Sequence, residues 1–172
     1  MKTLALFRHA KSDWSDARAR DFDRPLNERG KRGARAMGEY IRDTGRTFDR
    51  MIASPAVRAA ETVEESSKAW KCTFKIEWDR RIYLASSATL IDLLKELSGD
   101  PKSVLMIGHN PGLESLGRLM AGPGSSDKAT DNLLRGFPPA GLAVFELNGE
   151  NWRTMSAEGG RLTEFVRPGT AS

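Results

Sequence analysis

Four short apolar runs, each closed by a polar or charged residue and each leading into a stretch of helical periodicity, constrain the fold of this chain more than any other feature. Residues 3–7 form the first run, which stops at Arg8 and reads as a strand buried on both faces. Ala34, Met37, Gly38 and Ile41 then share one helical face in a segment from Asn27, an N-cap behind Pro25, to about Thr44. Residues 50–53 form a second brief strand. Ser54-Pro55 follows it as an N-cap and a proline at the first helical position, and predicts a helix to about Trp70. Residues 74–78 alternate as a strand does, Leu90, Leu93, Leu94 and Leu97 recur at helical spacing within 87–97, and residues 103–107 form another buried strand. Asn110-Pro111 repeats the cap-then-proline signal before a helix through Leu113, Leu116 and Met120.

The remainder reads differently. Residues 121–140 are rich in Gly, Pro, Ser and Asp and predict a loop with at most one short helical turn, a candidate lid or substrate rim. Residues 142–147 and 152–156 flank Asn148-Gly149, a signal for a two-residue hairpin. The expected architecture is α/β: a mostly parallel central sheet flanked by helices on both faces, with an antiparallel C-terminal hairpin at its edge. At 172 residues, a single domain spanning 1–172 is expected.

Composition narrows the function classes. The lone Cys72 excludes an internal disulfide framework and a four-cysteine zinc site, fits a reducing compartment, and reads as a small apolar filler. The apolar run at residues 4–7 is too short for a signal-peptide core, and no window approaches the ~18 apolar residues of a membrane span, so a cytoplasmic protein without membrane contact is expected. Net charge is +4, with residues 1–60 carrying 14 Lys/Arg against 8 Asp/Glu. A basic front third suits a phosphorylated substrate as well as nucleic acid, and its commonest meaning is a solvated helix face, so nucleic acid is not expected as a partner.

In open α/β sheets ligands collect outside the carboxyl ends of the strands. Three such exits carry chemistry: Arg8-His9, the segment from Ser54 to Arg58, and Gly108-His109-Asn110. Both histidines of the chain lie at these exits, which favours a shared site over two structural histidines. Arg58 falls in the first turn of its helix, where free N–H groups already favour an anion; the alternative is a surface pair with Glu61.

Arg8-His9-Ala10 resembles the Arg-His-Gly signature of the histidine phosphatase superfamily, also called phosphoglycerate mutase-like. Leu26-Asn27-Glu28-Arg29-Gly30 is similar to its Leu-Thr-x-x-Gly helix start. The segment from Ser54 through Arg58 and Ala59 to Thr62 is similar to Ser-Pro-x-x-Arg-Ala-x-x-Thr, and Gly108-His109-Asn110-Pro111-Gly112 resembles the small bacterial phosphohistidine phosphatase (SixA-type) subgroup. The resemblance covers residues 1–147. It implies a phosphatase in which His9 takes the phosphoryl group, Arg8 and Arg58 hold its oxygens, and His109 completes the pocket, with no cofactor and no metal. It also implies a phosphorylated protein or a small phosphorylated molecule as substrate.

The chain departs from the family pattern at several places. Ala10 replaces a glycine, and Lys11 and Ser15 stand where larger relatives have Glu and Asn, which leaves Ser15 as an expected substrate contact. Leu84 lies where many relatives carry a glutamate acting as general acid, leaving Asp13 as a possible proton donor. A missing acid favours a leaving group that needs no proton from the enzyme, hence protein phosphohistidine. The alternatives are a phosphomonoesterase or mutase on small metabolites, or a phosphate-binding module without turnover. Other phosphatase readings fail: Cys72 is followed six positions later by Trp78 rather than Arg, and Asp21-Phe22-Asp23, reminiscent of an aspartyl-phosphate motif, does not follow a buried strand and reads as a loop.

Overall fold

The computed structural model describes residues 1–149 and 151–170. Its strands are β1 (Lys2–Arg8), β2 (Arg50–Ala53), β3 (Ile76–Trp78), β4 (Ser103–Gly108), β5 (Leu142–Leu147) and β6 (Gly160–Val166). The helices are α1 (Glu28–Thr44), α2 (Val57–Trp70), α3 (Ser87–Lys95), α4 (Gly112–Met120) and α5 (Asp127–Leu134). All six strands form one sheet in the order β3-β2-β4-β1-β5-β6. β3, β2, β4 and β1 are parallel; β5 runs antiparallel to β1 and pairs antiparallel with β6 at the edge. The fold is the α/β class expected from the alternating pattern, in a single domain.

Strand alternation explains the two layers. In β1, Leu4 and Leu6 face one side, where Leu90 and Leu94 of α3, Leu113 of α4 and Leu133 of α5 pack. Ala5 and Phe7 face the other, against Ala34, Met37 and Ile41 of α1 and Ala59 and Trp70 of α2. A strand covered on both faces must be apolar at every position, and that is why β1 reads as a continuous run. α1 and α2 approach very closely: a Cβ on Gly38 would lie 2.2 Å from Ser66 O.

Five expectations need correction. α2 begins at Val57 with Ala56 as N-cap, so Ser54 and Pro55 precede the helix, and the Ser54 side chain is left free for other partners. α4 likewise starts after Pro111, although Asn110 Oδ1 still accepts the Glu114 N–H at 3.2 Å and so caps from one residue further out. Within 121–140, residues 127–134 form a true helix whose Ala129 and Leu133 are buried; Ser126 caps it, and short polar residues had hidden the period. The C-terminal antiparallel pair exists, but its second strand is β6, not 152–156. Trp152 is buried and donates Nε1–H to Pro101 O at 2.7 Å, so this stretch serves the core and residues 148–159 connect the strands instead of a two-residue turn. Cys72, read as a filler, is exposed. Among the described residues no helix is long and apolar enough to cross a membrane.

Candidate active site

Strand register brings the three exits together. Arg8 pairs with Gly108 across β1/β4, and Ala53 with Ile107 across β2/β4, so the strands end level with one another. His9 N–H donates to Gly108 O and Ser54 N–H to Ile107 O, both at 3.0 Å, which carries the ladder one residue past the strand ends. The rings of His9 and His109 consequently lie with centroids 5.0 Å apart. Arg8, His9, Lys11, Ser12, Trp14, Asp21, Arg58, Leu84, Asn110 and Pro139 line a cavity of about 450 Å³; His109, 3 % exposed, is not among the lining residues.

Each imidazole is oriented by a specific contact. His9 Nδ1 lies 2.7 Å from Ala10 O; a carbonyl can only accept, so Nδ1 carries the proton and Nε2 keeps its lone pair. Ala10 N–H is in turn held by Thr62 Oγ1 at 2.9 Å. His109 Nε2 lies 2.8 Å from Ser54 Oγ, which also accepts the Ala56 N–H at 3.2 Å. A hydroxyl oxygen accepts two hydrogen bonds and donates one, so Ser54 serves His109 Nε2 in either tautomer, while Nδ1 is buried without a partner. Burial, more than the neighbouring arginines, lowers the His9 pKa to about 4; burial followed by the proximity of His9 and Arg58 lowers His109 to about 3. Both rings are neutral at pH 7. His109 is therefore an uncharged ring in this state, not a cation.

The arginines are held differently. Arg8 donates Nη1–H to Phe137 O at 2.9 Å, while its Nε–H is buried and unpartnered. Burial lowers its pKa, with Glu114 opposing, but a guanidinium stays charged. Arg58 is 5 % exposed and does not pair with Glu61, whose carboxylate accepts from Leu26 N–H at 2.8 Å. Instead Arg58 Nη1 donates to Asp21 O at 2.6 Å and Nη2 to Asp21 Oδ2 at 3.0 Å.

Asp21 and Tyr83 are functional candidates that sequence reasoning missed. Asp21 opens a 3-10 turn over Asp21–Asp23 and its Oδ2 also accepts from the Tyr83 hydroxyl at 2.6 Å. That hydrogen bond, together with Arg58, holds the carboxyl below the usual range despite some burial, so Asp21 is ionised. Tyr83 stacks edge-on against His109 with centroids 5.4 Å apart. The local motif Asp21-Phe22-Asp23 points to different chemistry and none marks Tyr83; only the folding of the 13–24 loop across α2 brings Asp21 to Arg58.

The other expected site residues lie further out. Asp13 does not line the cavity; its exposed carboxylate accepts from Ser15 N–H at 2.8 Å, a contact that lowers its pKa. Ser15 is exposed beside it and also does not line the cavity. Leu84 does, 55 % exposed and in the left-handed region at φ 51°. Of the segment 121–140, only its end reaches the site, through Phe137 O and Pro139. Among the described residues no group of three or more His, Cys, Asp or Glu side chains is placed to hold a metal ion.

Two neutral imidazoles and two guanidiniums thus meet at level strand ends, an arrangement whose chemistry suits a tetrahedral anion held against a ring nitrogen. The histidine phosphatase superfamily (branch 1) matches this chain over residues 4–82. A solved structure assigned as phosphohistidine phosphatase SixA from Agrobacterium tumefaciens is 30% identical, covers 97% of this chain and 98% of its own, and superposes with a TM-score of 0.81. The protein histidine phosphatase SixA in complex with tungstate is 20% identical with a TM-score of 0.77, each chain covered to 99%. A mycobacterial glucosyl-3-phosphoglycerate phosphatase shares the fold at 16% identity and a TM-score of 0.65, covering 94% of this chain and 97% of its own. The chain belongs to the histidine phosphatase superfamily.

Proposed function

We propose that the protein is a phosphatase that accepts a phosphoryl group on His9 Nε2 and acts on protein phosphohistidine. The observation that carries the reading is the tautomer lock at His9: Nδ1–H held at 2.7 Å by Ala10 O leaves an unprotonated Nε2 in a cavity bordered by Arg8 and Arg58. In the first step this lone pair attacks phosphorus in line with the leaving group, while the guanidiniums neutralise the equatorial oxygens and His109, in the tautomer protonated at Nδ1, donates a hydrogen bond to one of them. In the second step water attacks the phosphohistidine. Asp21, ionised and lining the cavity, takes the proton of that water, and Tyr83 and Arg58 hold the carboxylate in place. The two arginines and His109 supply the charge stabilisation, so the reaction requires no metal.

The rim supports a protein substrate. Trp14 is 64 % exposed and, like Leu84, lines the cavity mouth, with the Arg24 guanidinium 4.1 Å over its ring. Exposed apolar side chains around a charged pocket suit a protein surface better than a sugar, whose hydroxyls they leave unpaired. Leu84 cannot protonate an alkoxide, whereas a phosphohistidine leaves as neutral imidazole after protonation at its distal nitrogen from solvent. The test is a panel of a phosphohistidine peptide, an aryl phosphate and a sugar phosphate, assayed in chelator. The peptide and the aryl phosphate should exceed the sugar phosphate in kcat/KM by at least about tenfold. Equal values for aryl and sugar phosphate, or loss of activity in chelator restored by one metal, would refute the assignment.

A further inference from the structure

A groove of about 570 Å³, larger than the histidine cavity, runs beside it between α1 and the segments 138–140 and 168–169. Its floor and walls are small or apolar: Gly33, Ala36, Pro138, Ala140 and Pro168 among them. Three exposed cations border it, Lys11, Arg29 and Arg32, and no acidic residue lines it. Elsewhere on α1, Arg35 is paired with Glu65 and Arg42 with Asp43. Among the described residues Lys11, Arg29 and Arg32 have no such partner, so their charge is available to a ligand.

The groove is continuous with the candidate active site. Lys11 and Pro139 line both spaces. Its two walls are bonded to the chain around the nucleophile itself: Ala140 N–H donates to His9 O and Asn27 N–H to Lys11 O, both at 3.1 Å. A Cβ on Gly30 would lie 2.1 Å from Lys11 O, so α1 is seated directly on this segment. From Arg29 to Ala36 the helix advances by about 10 Å at ~1.5 Å per residue. That length matches about three residues of extended polypeptide at ~3.3 Å each.

We propose that this groove is the docking surface for the acidic segment that flanks the phosphorylated histidine of the protein substrate. The inference rests on the phosphohistidine reading of the site. Proline and small side chains accept an extended backbone without demanding particular neighbours, and the three cations select glutamate and aspartate on it while speeding encounter. Nucleic acid fits less well, because the floor offers no aromatic ring on which a base could stack.

The test uses the full chain with three substrates: a phosphohistidine peptide flanked by glutamates, its glutamine counterpart, and an aryl phosphate. Wild type should prefer the glutamate peptide by about tenfold in kcat/KM, with the preference shrinking toward unity at about 0.5 M salt. The double variant Arg29→Glu/Arg32→Glu should lose that preference through KM, with kcat and aryl phosphate turnover unchanged. Ala36→Trp, which fills the groove without changing charge, should raise KM for both peptides and spare the aryl phosphate. Equal treatment of the two peptides by wild type, or a preference surviving in the double variant, would overturn the docking surface while leaving the site reading intact. Hydrolysis of the aryl phosphate with neither peptide accepted would sink the substrate reading and the groove with it. A single-stranded oligonucleotide that competes better than unphosphorylated glutamate peptide would assign the cations to nucleic acid instead.

Discussion

The two ends of the parallel strands treat charge in opposite ways. At their amino ends, Lys2 of β1 pairs with Asp100, Arg50 of β2 forks onto Glu77 and reaches Ser98 O at 2.7 Å, and the Lys102 N–H donates to Asp49 Oδ2 at 2.7 Å. These groups are paired within the chain, and Arg46 ahead of β2 holds Glu164 through Nη2 although its Nε is buried without a partner. At the carboxyl ends, Arg8 Nε–H and His109 Nδ1 are buried without partners, and burial holds two histidines neutral. A buried donor left unpaired costs about 1–3 kcal/mol. The difference teaches that ion pairs gather at the amino end, whereas the carboxyl end keeps two uncharged imidazoles and a buried guanidinium N–H, the arrangement that the proposed phosphoryl chemistry needs.

The strongest way to break this comparison is at His9. His9→Ala should reduce turnover by at least about a thousandfold, comparable to removing a nucleophile, and should not lower thermal stability, because it removes a buried base whose proton affinity is suppressed. Brief incubation with radiolabelled substrate should leave acid-labile label on wild type only; label on the variant, or turnover close to wild type, would move the nucleophile elsewhere.

Arginine exchange sharpens it next. Arg58→Lys keeps the charge but loses the planar fork, so the barrier should rise by about 2–4 kcal/mol, mainly in kcat. The same exchange at Arg50 should change stability by under about 1 kcal/mol and leave kcat alone, because that partly exposed pair is remote from the cavity. If kcat responded equally to both, the two ends would not differ in role.

A further effect is in pH. An unfolded chain protonates its histidines near pH 6.5, whereas the folded chain resists until about pH 4 at His9 and about pH 3 at His109. Acidification across that window thus favours unfolding, and stability should drop by ~2 kcal/mol between pH 7 and 5.5, about half of it removed by His9→Asn. Phosphate should offset the loss by filling the site. A flat stability profile over this range, or imidazole resonances titrating at pH 6.5, would place the histidines in water.

What could be read from the amino-acid order alone was whatever depends on local pattern. Strands buried on both faces must be apolar at each position, so β1, β2 and β4 were visible, and the polar residues directly after them located Arg8, His9, Arg58 and His109. The antiparallel edge was visible too, but not its second strand, because the Asn148-Gly149 signal is local while the demand of Trp152 for Pro101 is not. α5 was masked by the same short polar residues that cap it. Asp21 and Tyr83 lay beyond reach for the same physical reason: a carboxylate and a phenol have no periodicity, and their meaning arises only when the 13–24 loop crosses α2 and sets Asp21 against Arg58. Strand register decided the rest, since 5.0 Å between two rings separated by a hundred positions is a property of the sheet and not of either segment.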